Sequence, residues 1–138
     1  MRLLRTARKL AVVALLAAAF STPVAVAQAS DEPGAALELT WITPQVNNQT
    51  YTTHITCFPS GGGDEFYLDP EVSCALIAQA NGNFAALPGY PFLDCKTWPG
   101  TPVRTIATGR WLGQPVRYDV VHPSFCEAKK ALGPVYGW

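Results

Sequence analysis

The sequence predicts a small α+β domain of antiparallel strands and two short helices, cross-linked by disulfides. Four segments carry the pattern of half-buried strands, either alternating apolar and polar residues or a high content of β-branched ones. Two further segments begin with helix-capping residues. The chain of 138 residues also has four cysteines, and an even number is typical of a disulfide framework in an exported domain.

The first segment is expected to be removed before the domain folds. Four basic residues precede the apolar run Leu10 to Phe20, which is followed by small residues ending in Ala25-Val26-Ala27. This order is typical of a secretory signal peptide. We therefore predict a signal peptide at residues 1–27 and a secreted domain at residues 28–138, with a cut after Ala29 as the alternative. A membrane anchor is disfavoured because the apolar run is shorter than the roughly 20 residues that span a bilayer.

Charge and cysteine spacing exclude several classes of partner. After removal of residues 1–27, the chain has six basic and ten acidic residues. It therefore has no excess of positive charge with which to bind DNA or RNA. The sequence has no Cys-x-x-Cys, and its two histidines occur singly, so neither a metal site nor a cofactor is predicted. The cysteines allow three disulfide pairings, of which sequential pairing closes loops of the smallest combined length. The residues concerned are Cys57, Cys74, Cys95 and Cys126.

The mature chain is expected to begin with two strands. Leu37 to Ile42 alternates apolar and polar residues, and Thr50 to Cys57 is rich in β-branched ones. The segment between them, Pro44 to Gln49, is predicted to be a turn. The glycine-rich stretch Phe58 to Gly63 that follows is predicted to be a flexible loop.

The first helix is predicted from its capping residues. Asp69-Pro70-Glu71 provides an N-cap, a proline in the first turn and an acidic side chain near the positive end of the helix dipole. The helix is expected to run to Gln79 and to end at Asn81-Gly82. Three apolar side chains are expected to face the sheet: Val72, Leu76 and Ile77.

The last third of the chain predicts a strand pair, a helix and an edge strand. Val103 to Thr108 and Val116 to Val121 alternate with a period of two, and Gly109 to Pro115 connects them. Pro123 to Gly133 is predicted to be a short helix with Ser124 as its cap. Pro134 to Trp138 is expected to return as a fifth, edge strand.

Between these two halves, the segment Asp94 to Val103 is predicted to be a surface loop. It has a cysteine near its entry, and the two prolines and the glycine of its second half suit no helix or strand interior. Trp98 is expected to be exposed to solvent on a backbone stiffened by prolines and a disulfide. Such a restrained, exposed loop is typical of a segment that binds a partner protein. The alternative is that Trp98 folds back onto the core.

An enzyme is not predicted. Ser60 lacks the preceding glycine of a Gly-x-Ser-x-Gly elbow, the cysteines are expected to be oxidised, and no His-Glu-x-x-His motif occurs. His54 and His122 are interpreted as ordinary strand or turn residues.

The segment from Leu37 to Trp138 resembles a known protein family in two features. One is the spacing of the four cysteines, and the other is the run Thr108-Gly-Arg-Trp-Leu-Gly-Gln-Pro-Val-Arg-Tyr118. In both, the chain resembles the Streptomyces subtilisin inhibitor family. The resemblance implies a five-stranded antiparallel sheet with two helices on one face and a disulfide from Cys95 to Cys126. It also implies inhibition of secreted, subtilisin-like serine proteases by a substrate-like loop.

The resemblance also implies which residues bind the protease. In the family the third cysteine stands two residues before the primary-specificity residue, which makes Thr97-Trp98 the reactive bond. Counting back from the loop-closing Pro102 gives Trp98-Pro99 instead, so this loop is one residue longer. Thr97-Trp98 is preferred because a proline after the scissile bond makes a poor protease substrate. The implied binding residues are Cys95, Lys96, Thr97, Trp98, Pro99 and Gly100.

Three departures from the family pattern bear on function. Lys96 replaces the usual proline, which removes some rigidity, and Ser124 stands where an asparagine is common. These departures leave a target other than subtilisin, or weak inhibition, as alternatives to strong inhibition of subtilisin. The alternative function is a scaffold of this type that has lost broad protease inhibition and binds another secreted protein. The family also implies a homodimer through the sheet, where Glu38 places a charge in the expected contact. Trp111 is expected in the core or in that contact.

Overall fold

The computed structural model describes residues 33–44, 47–62, 68–97 and 100–138. The predicted signal peptide, residues 1–27, lies outside the described residues, and so do Trp98 and Pro99 of the predicted reactive loop. In the part of the chain that the structure describes, no helix is both long and apolar enough to cross a membrane.

The five-stranded antiparallel sheet is confirmed, with the strand order β3-β2-β1-β4-β5. All four neighbouring pairs are antiparallel. The strands are β1 (Ala35–Thr43), β2 (Gln49–Cys57), β3 (Gly61–Gly62), β4 (Val103–Trp111) and β5 (Gln114–His122). The central strand β1 pairs Leu37 with Ile55 of β2 and with Gly109 of β4.

The alternation in the sequence decides which face of the sheet is covered. On β1 the side chains of Ala35, Leu37 and Leu39 are buried, whereas Glu38 between them is exposed. The two helices, α1 (Pro70–Gln79) and α2 (Phe125–Leu132), contribute Ile77 and Leu132 to the same buried cluster. Both helices therefore pack on one face, because successive strand residues point to opposite sides.

The fifth strand is not where the sequence predicted it. Pro134 to Trp138 was expected to be an edge strand, but Gly133–Tyr136 forms a 3₁₀ helix. Pro134 favours this outcome because its fixed φ suits a first helical turn. The indole Nε1 of Trp138 donates to the Gly133 carbonyl at 2.6 Å and turns the terminus back.

The edge strand comes instead from the predicted flexible loop. Gly61 and Gly62 pair with Thr56 and Ile55 of β2. Gly62 has a φ of 73°, and an added Cβ would lie 2.6 Å from the His54 carbonyl oxygen. The prediction of a loop was therefore wrong at these two glycines, which allow the chain to lie close against β2.

The connection between β4 and β5 is tighter than predicted. Gly109 to Pro115 was expected to separate the strands, but β4 continues to Trp111 and β5 begins at Gln114. Leu112 and Gly113 alone connect them, with φ values of 45° and 81°. Positive φ at both central residues suits the right-handed twist of a two-residue hairpin.

Helix α1 begins as its capping residues predict. The Asp69 carboxylate accepts hydrogen bonds from the backbone N–H groups of Glu71, at 3.0 Å, and Val72, at 3.1 Å. The side chains that α1 turns toward the sheet differ in part from the predicted ones. Ile77 is buried as expected, whereas Val72 is 44% exposed. The Cys57–Cys74 bond turns residue 74 toward the sheet, so Ser73 and Ile77 lie beside it and Val72 faces outward.

Candidate functional site

The entry of the predicted surface loop is covalently attached to helix α2. Cys95 and Cys126 form a disulfide with their Cα atoms 5.6 Å apart. The second disulfide joins Cys57 to Cys74, so the sequential pairing is confirmed. Both cysteines of the loop disulfide are buried, and Cys126 lies in the first turn of α2. The residues that follow Cys95 therefore start from a fixed point.

The Asp94 side chain stiffens the same entry. Its Oδ1 accepts a hydrogen bond from the backbone N–H of Lys96 at 3.0 Å. Lys96 and Thr97 form a turn, and both are exposed. An aspartate that binds the N–H two residues ahead is a local turn signal, which the sequence contained and our sequence analysis did not use. Thr97 is thus accessible on a backbone that is restrained immediately before it.

The exit of the loop rests on the N-terminus of the same helix. Gly100 lies so close to Ser124 that an added Cβ would be 2.5 Å from the Ser124 Cβ. Ser124 is buried and caps α2, because its Oγ accepts from the Glu127 N–H at 3.2 Å. Beyond Gly100 the chain enters β4 at the fully buried Val103. Helix α2 therefore positions the loop on both sides.

The structure brings four of the six predicted reactive-loop residues to this site, namely Cys95, Lys96, Thr97 and Gly100. The other two, Trp98 and Pro99, lie outside the described residues. The Thr97-Trp98 reactive bond consequently stays a prediction, of which the structure describes the Thr97 side. The predicted alternatives for Trp98, display to solvent or burial on the core, also concern a residue outside the described part.

The two histidines lie on opposite faces of the sheet. His54 is exposed, with Nε2 at 3.1 Å from Glu38 Oε2. His122 is buried, and its Nε2 shares a hydrogen bond with Thr105 Oγ1 at 3.0 Å. Burial lowers the pKa of His122, against an opposing effect of Glu127. Among the described residues, no group of three or more His, Cys, Asp or Glu side chains could hold a metal ion.

Trp111 lies in the core, which is one of the two roles predicted for it. Its side chain is buried and meets the Phe58 ring edge-on, with ring centroids 5.5 Å apart. Gly82 makes room for it, since an added Cβ there would lie 2.6 Å from Trp111 Cγ. The tryptophan that is specific to the resembled motif is thus a packing residue.

One exposed residue near the loop was missed by the sequence analysis. The Phe92 side chain is 99% exposed, three residues before Cys95. No sequence signal distinguishes it from a core phenylalanine, because its exposure depends on how the segment packs on α2. The described site therefore has an apolar neighbour on the N-terminal side of the loop.

The subtilisin inhibitor-like family model matches residues 33–124. Subtilisin inhibitor-like protein 5 of Streptomyces fradiae is 34% identical over 85 residues, which is 61% of this chain and 76% of that protein. Protease inhibitor SIL-V2 of Streptomyces orinoci is 32% identical over 84 residues, covering 61% of this chain and 75% of that protein. Among solved structures, Streptomyces caespitosus sermetstatin in complex with Bacillus licheniformis subtilisin matches with a TM-score of 0.57 and 22% identity. That match covers 75% of this chain and 98% of sermetstatin, and it shows a shared fold.

Proposed function

Because this chain belongs to the subtilisin inhibitor-like family, we propose that it is a secreted inhibitor of subtilisin-like serine endopeptidases. One of the named relatives is a protease inhibitor and the other a subtilisin inhibitor-like protein, which agrees with the prediction that this chain is not an enzyme. One observation supports the proposal most directly. The exposed Thr97 lies between a cystine bonded to helix α2 and Gly100, which packs against Ser124 at the start of that helix.

A loop fixed in this way suits binding as a substrate-like strand in a protease cleft. A free peptide loses conformational entropy when it is ordered in the cleft. In this protein the disulfide and the Asp94 turn already order the loop when the domain folds, so less entropy is lost on binding. The binding free energy is then available for affinity. We further propose that residues 1–27 are removed during export, which leaves residues 28–138 as the inhibitor.

The same attachments would oppose hydrolysis. Attack of the protease serine on the Thr97 carbonyl forms an acyl-enzyme and frees the amine of residue 98. Cys95 keeps the acyl side bonded to α2 through Cys126, and Gly100 packs on Ser124 at the start of α2. The freed amine therefore stays near the ester and can attack it, which re-forms the peptide bond and releases the serine hydroxyl. Religation then competes with loss of the product.

Thr97 would be the primary-specificity residue, and its small side chain favours a protease with an uncharged pocket. The basic Lys96 precedes it, so a trypsin-like target is expected only if the reactive bond lies one residue earlier. Titration of subtilisin, chymotrypsin and trypsin with the purified mature protein tests the proposal. We expect stoichiometric loss of subtilisin activity. Full activity of all three proteases would instead support the alternative function, a scaffold that binds another secreted protein.

The Asp94 turn gives a first testable prediction. Asp94→Ala removes the acceptor for the Lys96 N–H. Because a hydrogen bond of this kind stabilises the ordered loop by about 1 kcal/mol, its loss should reduce the binding free energy by that amount and weaken inhibition roughly fivefold. Asp94→Asn keeps a side-chain oxygen at the same position and serves as the matched control. The inhibition constant for subtilisin should rise with the alanine variant only. Equal constants for the two variants would contradict a role for this hydrogen bond.

The contact between Gly100 and Ser124 gives a second prediction. Gly100→Ala places a Cβ 2.5 Å from the Ser124 Cβ, so the loop exit must move away from α2. We expect weaker inhibition and faster cutting of the loop, measured by activity titration and mass spectrometry. Removing the Ser124 Cβ in the double variant Gly100→Ala/Ser124→Gly should restore inhibition. Helix capping would suffer little, since glycine is also tolerated at an N-cap.

We also propose, on the family resemblance, a homodimer through the outer face of the sheet. Glu38 does not present an isolated charge there, because His54 lies 3.1 Å from it. Arg104 and Asp119 form a second pair on this face, with Nε to Oδ1 at 2.7 Å. Sedimentation equilibrium of the mature protein distinguishes dimer from monomer.

A further inference from the structure

Phe92 is almost wholly exposed, although phenylalanine is among the residues most often buried. It lies at the tip of a tight turn, in which the Leu93 N–H donates to the Tyr90 carbonyl at 3.0 Å. Pro91 occupies the second position of this turn, where its fixed φ is favourable. We call residues Tyr90–Leu93 the Phe92 turn. It presents one large apolar side chain to solvent.

The Phe92 turn is attached to helix α2 on both sides. The Tyr90 N–H donates to the Lys130 carbonyl at 2.8 Å. Gly89 approaches the helix so closely that an added Cβ would lie 2.1 Å from the same carbonyl oxygen. On the other side, Cys95 is bonded to Cys126. Phe92 is therefore held in a defined place relative to α2, which also positions the reactive loop.

The surroundings of Phe92 are apolar, with a basic edge. Tyr90, Pro91, Phe92 and Leu93 line an open cleft together with Lys129. The surface that fits this arrangement is an apolar depression with a carboxylate at its rim. Exposed apolar clusters of this kind on soluble proteins often mark interaction sites.

We propose that the Phe92 turn is a second contact with the same protease molecule that binds the reactive loop, with Phe92 entering an apolar depression beside the cleft. This inference rests on the proposed function. Phe92 precedes Thr97 by five residues, so the two are at most about 17 Å apart along a chain that rises about 3.3 Å per residue. An interface of standard size, about 800 Å² per partner, spans that distance.

The rigid presentation of Phe92 favours a large contribution to binding. An aromatic side chain has few rotatable bonds to immobilise, and the backbone beneath it is already fixed. Aromatic anchors of this type are common among residues whose truncation weakens an interface most. The effect is expected in the dissociation rate, since most changes in affinity at an interface arise there.

The variant Phe92→Ala tests the inference with the mature protein and subtilisin. Its melting temperature should match the wild type, because the exposed side chain supports no core packing. The inhibition constant should rise by at least about tenfold, with faster dissociation and an unchanged cleavage site. Leu112→Ala is the matched control, an exposed apolar residue just beyond the end of β4. The loop leads into that strand at Val103, so Leu112 lies beyond the opposite end of a nine-residue strand.

The outcomes separate this inference from the proposed function. Weaker inhibition by Phe92→Ala, with Leu112→Ala unchanged, supports it. Equal inhibition by Phe92→Ala and the wild type overturns the inference and leaves the proposed function intact. A wild-type protein that inhibits none of the tested proteases overturns both. Unchanged inhibition with altered sedimentation assigns the Phe92 turn to self-association and also overturns the inference.

Discussion

Replacing Cys95 and Cys126 together by alanine will convert the protein from an inhibitor of subtilisin into a substrate. Without this disulfide the loop entry is no longer bonded to α2, so the acyl side of a cut bond can move away before religation. The loop also loses its pre-ordering and must be ordered on binding. The measurement is residual subtilisin activity over time, together with the rate at which the chain is cut. We expect inhibition to be transient and cutting to be complete.

The second disulfide provides the matched control. Cys57→Ala/Cys74→Ala removes a bond between β2 and α1 that has no part in the loop. Either double variant should lose roughly 2–5 kcal/mol of stability, so both are assayed at a temperature where circular dichroism shows them folded. The Cys57/Cys74 variant should still inhibit with a nearly unchanged constant. Equal loss of inhibition in both variants would contradict a specific role for Cys95–Cys126.

Thr97→Arg will give the protein a new target, with trypsin inhibition rising by at least about a hundredfold and subtilisin inhibition falling. Trypsin has an aspartate in its specificity pocket, so a basic side chain at the primary-specificity position gains a charged partner there. In a subtilisin-like pocket the same charge would be buried unpaired. The fold should be unaffected because Thr97 is exposed. Inhibition constants for the two proteases measure the change.

Neighbouring variants test the position of the reactive bond. Trp98→Arg places the same charge in the register counted from Pro102 and should not create trypsin inhibition. Lys96→Ala tests the earlier register: if the wild type inhibits trypsin and this variant does not, the reactive bond follows Lys96. A gain of trypsin inhibition in Trp98→Arg, but not in Thr97→Arg, would contradict the assignment of Thr97.

Local patterns were sufficient to predict most of the fold. The alternation in β1, β4 and β5 reflects burial of one face, and it places these strands correctly although their ends extend beyond the predicted ones. The Asp69 and Ser124 caps are local as well, since each side chain binds N–H groups within three residues. The observed disulfides are the sequential pairs, which close loops of the smallest combined length.

Features set by distant contacts were not predictable in the same way. Gly61 and Gly62 carry no side-chain pattern, and only their pairing with β2 makes them a strand. The C-terminal segment has strand-forming residues, but Pro134 and the bond from Trp138 to Gly133 favour a 3₁₀ helix. At the loop, the sequence indicated the cystine, which the structure confirms, and the reactive residues stay a prediction. It did not indicate that Gly100 packs on Ser124, because that contact joins segments that are apart in sequence.

We propose Thr97-Trp98 as the reactive bond of a protease inhibitor. The most direct test is mass spectrometry of the mature protein after incubation with an equimolar amount of subtilisin, with residual activity followed in parallel. The predicted result is lost activity and a single slow cut, seen without reduction as the intact mass plus one water. After reduction the cut chain should separate into two pieces, ending at Thr97 and beginning at Trp98. Rapid cutting with full protease activity, or a cut at another bond of an inhibited complex, would contradict the claim.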